Sequence, residues 1–306
     1  MTELRRHSQD YLSLRRALGY KLIGEAGLLA SFIAFLEQAG QSRVSTEAAL
    51  AWTTKVTGSA AYLARRMRVA RSFARYLHSL DPNAEVPPAE LFPAGKHRPT
   101  PYIYSDEDVA SLMAAARSLE PRLRAITFET LIGLLAATGM RISEAMAVDA
   151  DDLDRAEGVL TVRDSKFQKS REILLHQSTL AALAAYRAER DRLVPQPHRS
   201  SLFTSTRGTR LCHATVQPAF RQLVRRAGLT QPTGAPQPRI HSFRHSFAVN
   251  TLISWYRDGG DVAARMPLLS TYLGHVDIAA TYWYLSAVPE LLALAAGRLE
   301  QAGQNR

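Results

Sequence analysis

Pro82, Pro87, Pro88, Pro99 and Pro101 stud the stretch between residues 81 and 101, and the basic run Lys96-His97-Arg98 sits among them. Proline has no amide N–H to give and its ring blocks the preceding turn, so neither a helix nor an internal strand passes through such a run. The stretch is an extended, basic connector. It divides the 306-residue chain into a first domain over residues 1–92, a linker over 93–104 and a second domain over 105–306, each long enough to build its own core.

Before the connector the pattern is helical. Apolar residues recur at three- and four-residue spacing over 10–18, 24–38 and 46–55, with Gly40 and the Gln41-Ser42-Arg43 turn between the last two. A fourth helix is expected over 59–80. Leu63, Met67, Ala70, Ala74 and Leu77 mark its buried stripe, and Arg65, Arg68, Arg71 and Arg75 fall largely to the other side. Between Glu47 and Asp81 there is no acidic residue. Like charges at i,i+4 oppose a helix, so a face of one sign calls for counter-charge from outside. With a net charge of +10 over the whole chain, the expected partner is a polyanion such as nucleic acid. The four arginines would track its phosphates, joined by Lys96 and Arg98 of the connector.

Beyond the connector, Ser105 followed by Asp106, Glu107 and Asp108 is a helix start, because the serine caps and the carboxylates favour the exposed N–H groups. Helices are expected over 105–117 and 121–138. Gly139 stops the second, and Met140 to Glu144 opens a short helix toward Ala147. Two strands, 158–162 and 172–175, flank the turn 164–170. Further helices cover 177–193 and 214–227, residues 232–238 form a loop, and the tail 288–302 is amphipathic through Leu291, Leu292, Ala295 and Leu299. The fold class is mainly α with a small β-sheet, in two domains.

Cys212 is the single cysteine, which excludes an internal disulfide and a cysteine-cluster zinc site and fits a reducing, cytoplasmic setting. The N-terminal segment lacks the hydrophobic core of a signal peptide, and the most apolar run, 131–137, is too short to span a bilayer, so no membrane association is expected.

The chemistry concentrates in residues 239–285. His241 and Arg244 share one face of a helix expected over 241–255, whose apolar positions are Phe243, Phe247, Ala248 and Leu252. Leu273-Gly274-His275 follows, and Tyr284 lies nine residues beyond that histidine. A guanidinium offers phosphate oxygens a fixed fork of donors, and an imidazole moves a proton near neutral pH. The tyrosine is a candidate nucleophile. With an unperturbed pKa of about 10, roughly one phenol in a thousand is ionised at pH 7, a handicap of about 4 kcal/mol that a neighbouring base and a cationic phosphate site would relieve. Two more cations matter: Arg141, projecting just after a glycine stop, and Lys166, at the tip of a short hairpin.

Taken together, Ala137-Thr138-Gly139-Met140-Arg141-Ile142-Ser143-Glu144, Lys166, His241-Ser242-Phe243-Arg244-His245, Leu273-Gly274-His275 and Tyr284 resemble the tyrosine recombinase, or phage integrase, family. The resemblance implies an N-terminal helical, SAM-like core-binding domain joined to an integrase-type catalytic domain, the two clamping double-stranded DNA. It implies that Tyr284 attacks a phosphodiester to give a 3′-phosphotyrosine and a free 5′-hydroxyl. Arg141 and Arg244 would hold the non-bridging oxygens, Lys166 would protonate the leaving oxygen, His241 would accept the tyrosine proton, and His275 would hydrogen-bond the phosphate. No metal or other cofactor is implied. The assembly implied is a homo-tetramer on DNA, or a hetero-tetramer with sister recombinases, with the tail 288–302 packed into a neighbour or onto its own domain.

Some positions stay open. The hairpin reads Asp164-Ser165-Lys166-Phe167-Gln168-Lys169, so Lys169 is an alternative to Lys166. Tyr282 is an alternative phenol, although spacing from His275 favours Tyr284, and Trp283 is read as packing. His245 is read as supporting or structural. Residues 253–267 are longer than the family's usual connection at this point. Three activities compete: strand exchange, DNA binding without catalysis, and relaxation of the type IB topoisomerase sort. Within strand exchange, integration, excision or transposition of a mobile element is preferred to Xer-type dimer resolution.

Overall fold

The computed structural model describes residues 2–20, 22–92, 100–163, 170–194, 200–275 and 277–304. Lys96 and Arg98 of the connector, and Lys166 and Lys169 of the hairpin, lie outside the described residues. Two compact units form, Met1–Arg98 and Pro99–Arg306.

The first unit is helical: α1 (Glu3–Ala17), α2 (Ile23–Gln38), α3 (Thr46–Thr54) and α4 (Ala60–Leu80). Ser45 and Ser59 cap the third and fourth, each accepting an N–H from the first turn. Helix α1 starts seven residues before the apolar periodicity does. Thr2 caps it, and Leu4 alone carries its first turn into the core. Phe32, Trp52, Met67, Phe73 and Ala74 form the centre of this core.

On α4, Arg65, Arg68 and Arg75 are exposed and Arg71 is half-buried, and two details add to the sequence reading. Glu25 of α2 supplies Arg65 with a counter-charge at 3.0 Å, so that position does not depend on an outside anion. Arg66 belongs to the core: its Nη2 donates to the Trp52 carbonyl at 2.6 Å and its guanidinium lies 3.8 Å over the Trp52 ring.

The second unit begins before Ser105. Tyr104 is buried, stacks on Phe243 at 4.4 Å and donates its N–H to Ser246 Oγ at 2.7 Å, so part of the expected linker is core. Helix α5 (Asp106–Arg117) has the expected Ser105 cap, completed by Asp108 reaching back to the Ser105 N–H. Helix α6 (Arg122–Thr138) runs through the core, and α7 (Ile142–Ala147) follows it. The sheet has three antiparallel strands in the order β1 (Leu153–Asp154), β2 (Val159–Val162), β3 (Arg171–Leu174), with Leu160 opposite both Leu153 and Ile173. Strand β1 escaped the sequence reading because two residues are too few for alternation to show.

Helices α8 (Gln177–Leu193), α9 (His213–Arg226) and α10 (Ser242–Arg257) lie near their expected positions. The segment 253–267 is not a connection throughout. It completes α10, turns at Gly259-Gly260, and begins α11 (Val262–Leu273), capped by Asp261. Pro267 hides this helix in the sequence, yet Val262, Met266, Leu269 and Leu273 face the core at helical spacing. Two helices close the chain, α12 (Ala279–Ala287) and α13 (Pro289–Gln304). In the tail, Leu291 is buried in its own unit's core and Leu292 is 52% exposed. Among the described residues no helix is long and apolar enough to cross a membrane.

Candidate active site

The site is built on the C-terminal end of α11. Three consecutive carbonyls there each accept from a different arginine: Tyr272 O from Arg171 Nε at 2.8 Å, Leu273 O from Arg244 Nη2 at 2.6 Å, and Gly274 O from Arg141 Nη2 at 2.9 Å. The last carbonyls of a helix have no partner within it and carry its negative dipole end, so cations are favoured there. Gly274 makes the arrangement possible. It ends the helix at φ 65°, and a Cβ at that position would lie 3.0 Å from Arg171 Nη1.

A second glycine places the arginines from the other side. Gly139 ends α6 at φ 60°, and its carbonyl accepts Arg244 Nη1 at 3.2 Å. A Cβ there would meet the Phe247 ring at 2.7 Å. The turn it makes delivers Arg141 to the start of α7, where Glu144 takes the Arg141 N–H on Oε2 at 2.8 Å and its Nη1 on Oε1 at 2.7 Å.

Glu144 is 7% exposed and also accepts Arg171 Nη1 and Nη2, at 3.1 and 2.8 Å. Burial alone pushes its carboxyl up. The hydrogen bonds and charge of Arg171, then the N–H and charge of Arg141, outweigh that and bring it down to about 2. Arg244 contrasts with it. The residue is 2% exposed, and among the described residues no carboxylate forms an ion pair with it. Burial, then the nearby charge of Arg141, bring its pKa down to about 10. A buried cation held by two carbonyls and no carboxylate is a site that gains from an anion.

The imidazoles and the phenol line up beside it. His241 sits at the N-cap position of α10, with no capping hydrogen bond from its side chain, and meets solvent. Partial burial, then the charges of Arg244 and Arg141, hold its pKa below the ordinary value, so the neutral, proton-accepting form is favoured. Its ring lies edge-on to His245 at 4.8 Å, and Nδ1 of His245 lies 3.3 Å from the Tyr284 hydroxyl. Tyr284 is 2% exposed, with its ring 5.6 Å from His245 and 6.3 Å from His275. His275 is oriented by Thr281, whose Oγ1 is 2.7 Å from its Nδ1. Tyr282 of the same helix is 44% exposed.

Arg141, His241, Arg244, His275 and Tyr284 thus come together in one unit, while Arg65, Arg68, Arg71 and Arg75 belong to the other. Sequence reasoning gave no role to Arg171 or Glu144 and only a supporting one to His245. Two signals were there to read: an acid at the third position of a helix that starts on an arginine, and a histidine one helical turn beyond His241.

A match to the phage integrase family covers residues 103–290, from just before α5 to the start of α13. The chain belongs to this family. Relatives agree with that, one of them over its full length. It is 40% identical to y4rB of Sinorhizobium fredii, a candidate integrase/recombinase, over 100% of both chains. It is 31% identical to tyrosine recombinase XerD of Caulobacter vibrioides, over 77% of this chain and 73% of that one. In fold, the chain matches the Tn1549 transposon integrase, solved in complex with transposon right-end DNA, with a TM-score of 0.68 at 16% identity, covering 98% and 99% of the two chains. Its class of activity is that of a tyrosine-type site-specific DNA recombinase.

Proposed function

We propose that this integrase cleaves and rejoins double-stranded DNA through Tyr284, in the integration, excision or transposition of a mobile element. The observation that carries the reading is Arg244, a buried cation in ion pair with no carboxylate among the described residues, set beside Arg141 and within electrostatic reach of the Tyr284 phenol. A phosphodiester supplies the missing anion. The Tyr284 oxygen forms a bond to phosphorus, the bond from phosphorus to the 5′-oxygen breaks, and the phenol proton passes to an imidazole, His245 or His241. Lys166, or Lys169, returns a proton to the 5′-oxygen. Arg141 and Arg244 balance the charge that grows on the non-bridging oxygens, and His275 donates to one of them. Because the phosphotyrosine keeps the energy of the broken linkage, a 5′-hydroxyl from a second duplex reverses the step and exchanges strands.

The assembly proposed is a tetramer on DNA, in the cytoplasm, with α4 following the phosphate backbone. The mobile-element role draws support from the full-length similarity to an integrase/recombinase and the fold likeness to a transposon integrase. Similarity to XerD over about three quarters of the chain keeps dimer resolution as the second reading. Incubation with nicked duplexes from the flanks of the encoding locus, followed by denaturing electrophoresis, is expected to give a covalent protein–DNA band. Cleavage confined to paired sites identifies strand exchange, whereas relaxation of any supercoiled plasmid identifies the topoisomerase-type reaction. Specific binding with no band identifies a regulator and contradicts the proposal.

A further inference from the structure

Glu144 poses a problem for the site just described. A carboxylate 2.7 Å from Arg141 Nη1 cancels the charge that Arg141 would offer a phosphate, yet the same carboxylate fixes the Arg141 backbone and side chain. Both of its oxygens are shared between Arg141 and Arg171. We propose that Arg171 is a positioning residue that neutralises Glu144, so that Arg141 is held in place by the carboxylate without losing its charge to it. This rests on the reading of the site as a phosphodiester-cleaving centre.

The charge balance makes the case. Among the described residues, three guanidiniums and one carboxylate converge on the end of α11, a set with two net positive charges. A phosphodiester carries one negative charge, and the five-coordinate species formed when a phenolate adds to it carries two. The cluster therefore matches the transition state better than the ground state, as charge stabilisation of a reaction requires. Without Arg171 a single positive charge remains, and the match moves to the ground state.

Geometry separates the roles of the arginines. Every nitrogen of Arg171 already donates to the protein: Nε to Tyr272 O, and Nη1 and Nη2 to Glu144. Its side chain is 11% exposed and that of Arg141 is 25% exposed. Arg171 is thus committed to the carboxylate, and Arg141 is the member of the pair that meets the outside. The strap across α11 fixes the relation further, because Arg171 and Arg141 hold carbonyls two residues apart, and a Cβ at Gly274 would press on the Arg171 guanidinium at 3.0 Å.

The test is a set of substitutions in the full chain, read as the single-turnover rate of covalent adduct on a nicked duplex. Arg171→Met is expected to slow the adduct about 10–100-fold with DNA affinity unchanged, the scale of losing part of a preorganised charge. Adding Glu144→Gln removes the carboxylate that then drains Arg141, and is expected to bring the rate back to within about threefold of Glu144→Gln alone. Arg171→Lys, which keeps the charge, should retain most of the rate. On a methylphosphonate linkage, which lacks one non-bridging charge, Arg171→Met should cost less than on the phosphodiester. A double variant as slow as Arg171→Met, or equal penalties on the two linkages, makes Arg171 a strut and overturns the proposal. If Arg171→Met does not fold, Arg171→Lys and Arg171→Gln carry the comparison. The same series can be read without DNA, as the rise in Tm caused by sulfate. Measured against sodium chloride of equal ionic strength, Arg171→Met should shrink that rise and adding Glu144→Gln should restore it. Wild-type protein that gains Tm from sulfate but forms no adduct contradicts the recombinase reading alone, whereas a rise unaffected by Arg171→Met contradicts this one.

Discussion

The hydroxyl of Tyr284 lies 3.3 Å from Nδ1 of His245. At that distance the imidazole can hold the phenol's orientation and accept its proton. His245→Ala is therefore expected to slow adduct formation about 100-fold, the usual worth of a positioned base. Single-turnover rates for His241→Ala and His245→Ala on one nicked duplex check this. A His245→Ala enzyme at the wild-type rate returns the role to His241, as first expected from the sequence.

Glu144 links the site to the stability of the fold. Its carboxyl titrates at about 2 in the folded protein, below the ordinary value of 4.5. A lowered folded pKa means the unfolded chain binds the proton more tightly, so the stabilisation is present above pH 4.5 and is lost as pH falls toward 2. Its size is roughly 3 kcal/mol. Urea unfolding at pH 7 and pH 3 should show a steeper acid loss for wild type than for Glu144→Gln; equal losses contradict it.

Gly139 tests the packing behind Arg141 and Arg244. Alanine there must adopt φ 60° and place its Cβ 2.7 Å from the Phe247 ring. A cost of about 2–4 kcal/mol is expected from backbone and overpacking together. Gly228→Ala is the control, because its φ is 71° with nothing within 4 Å of the new Cβ. It should cost about 1–2 kcal/mol. Equal losses in thermal unfolding would remove Phe247 from the explanation.

How far the chain can be read without coordinates depends on the distance over which a signal acts. The Ser105 cap, the Gly139 stop and the stripe of α4 are local, and they lie where the residues say. Helix α11 was hidden by Pro267, and α1 by the polar run before residue 10, because in both cases burial in the folded unit overrides local preference. The five candidate positions that the fold brings together, Arg141, His241, Arg244, His275 and Tyr284, were singled out through family resemblance. Arg171 was not, since a basic residue after a hairpin resembles any solvated arginine until the carbonyls of 272–274 are brought beside it. Arg66 misleads in the opposite direction, being a cation in a basic run that packs on Trp52.

In the first unit, no described carboxylate forms an ion pair with Arg68 or Arg71, unlike Arg65 with Glu25. Replacing both by alanine should weaken DNA binding and reduce the slope of log K against log salt by about 2, near 0.9 for each phosphate contact. Fluorescence anisotropy across a salt series measures it. An unchanged slope takes α4 out of the interface.

In the proposed reaction one buried phenol, held between His245 and His275 beside Arg244, becomes bonded to DNA. Trapping the adduct on a nicked duplex, digesting it, and sequencing the nucleotide-bearing peptide by mass spectrometry reads that bond directly. The expected result is a 3′-phosphate on Tyr284 and no adduct from Tyr284→Phe protein that still binds DNA. A nucleotide on Tyr282, or an adduct that survives Tyr284→Phe, contradicts it.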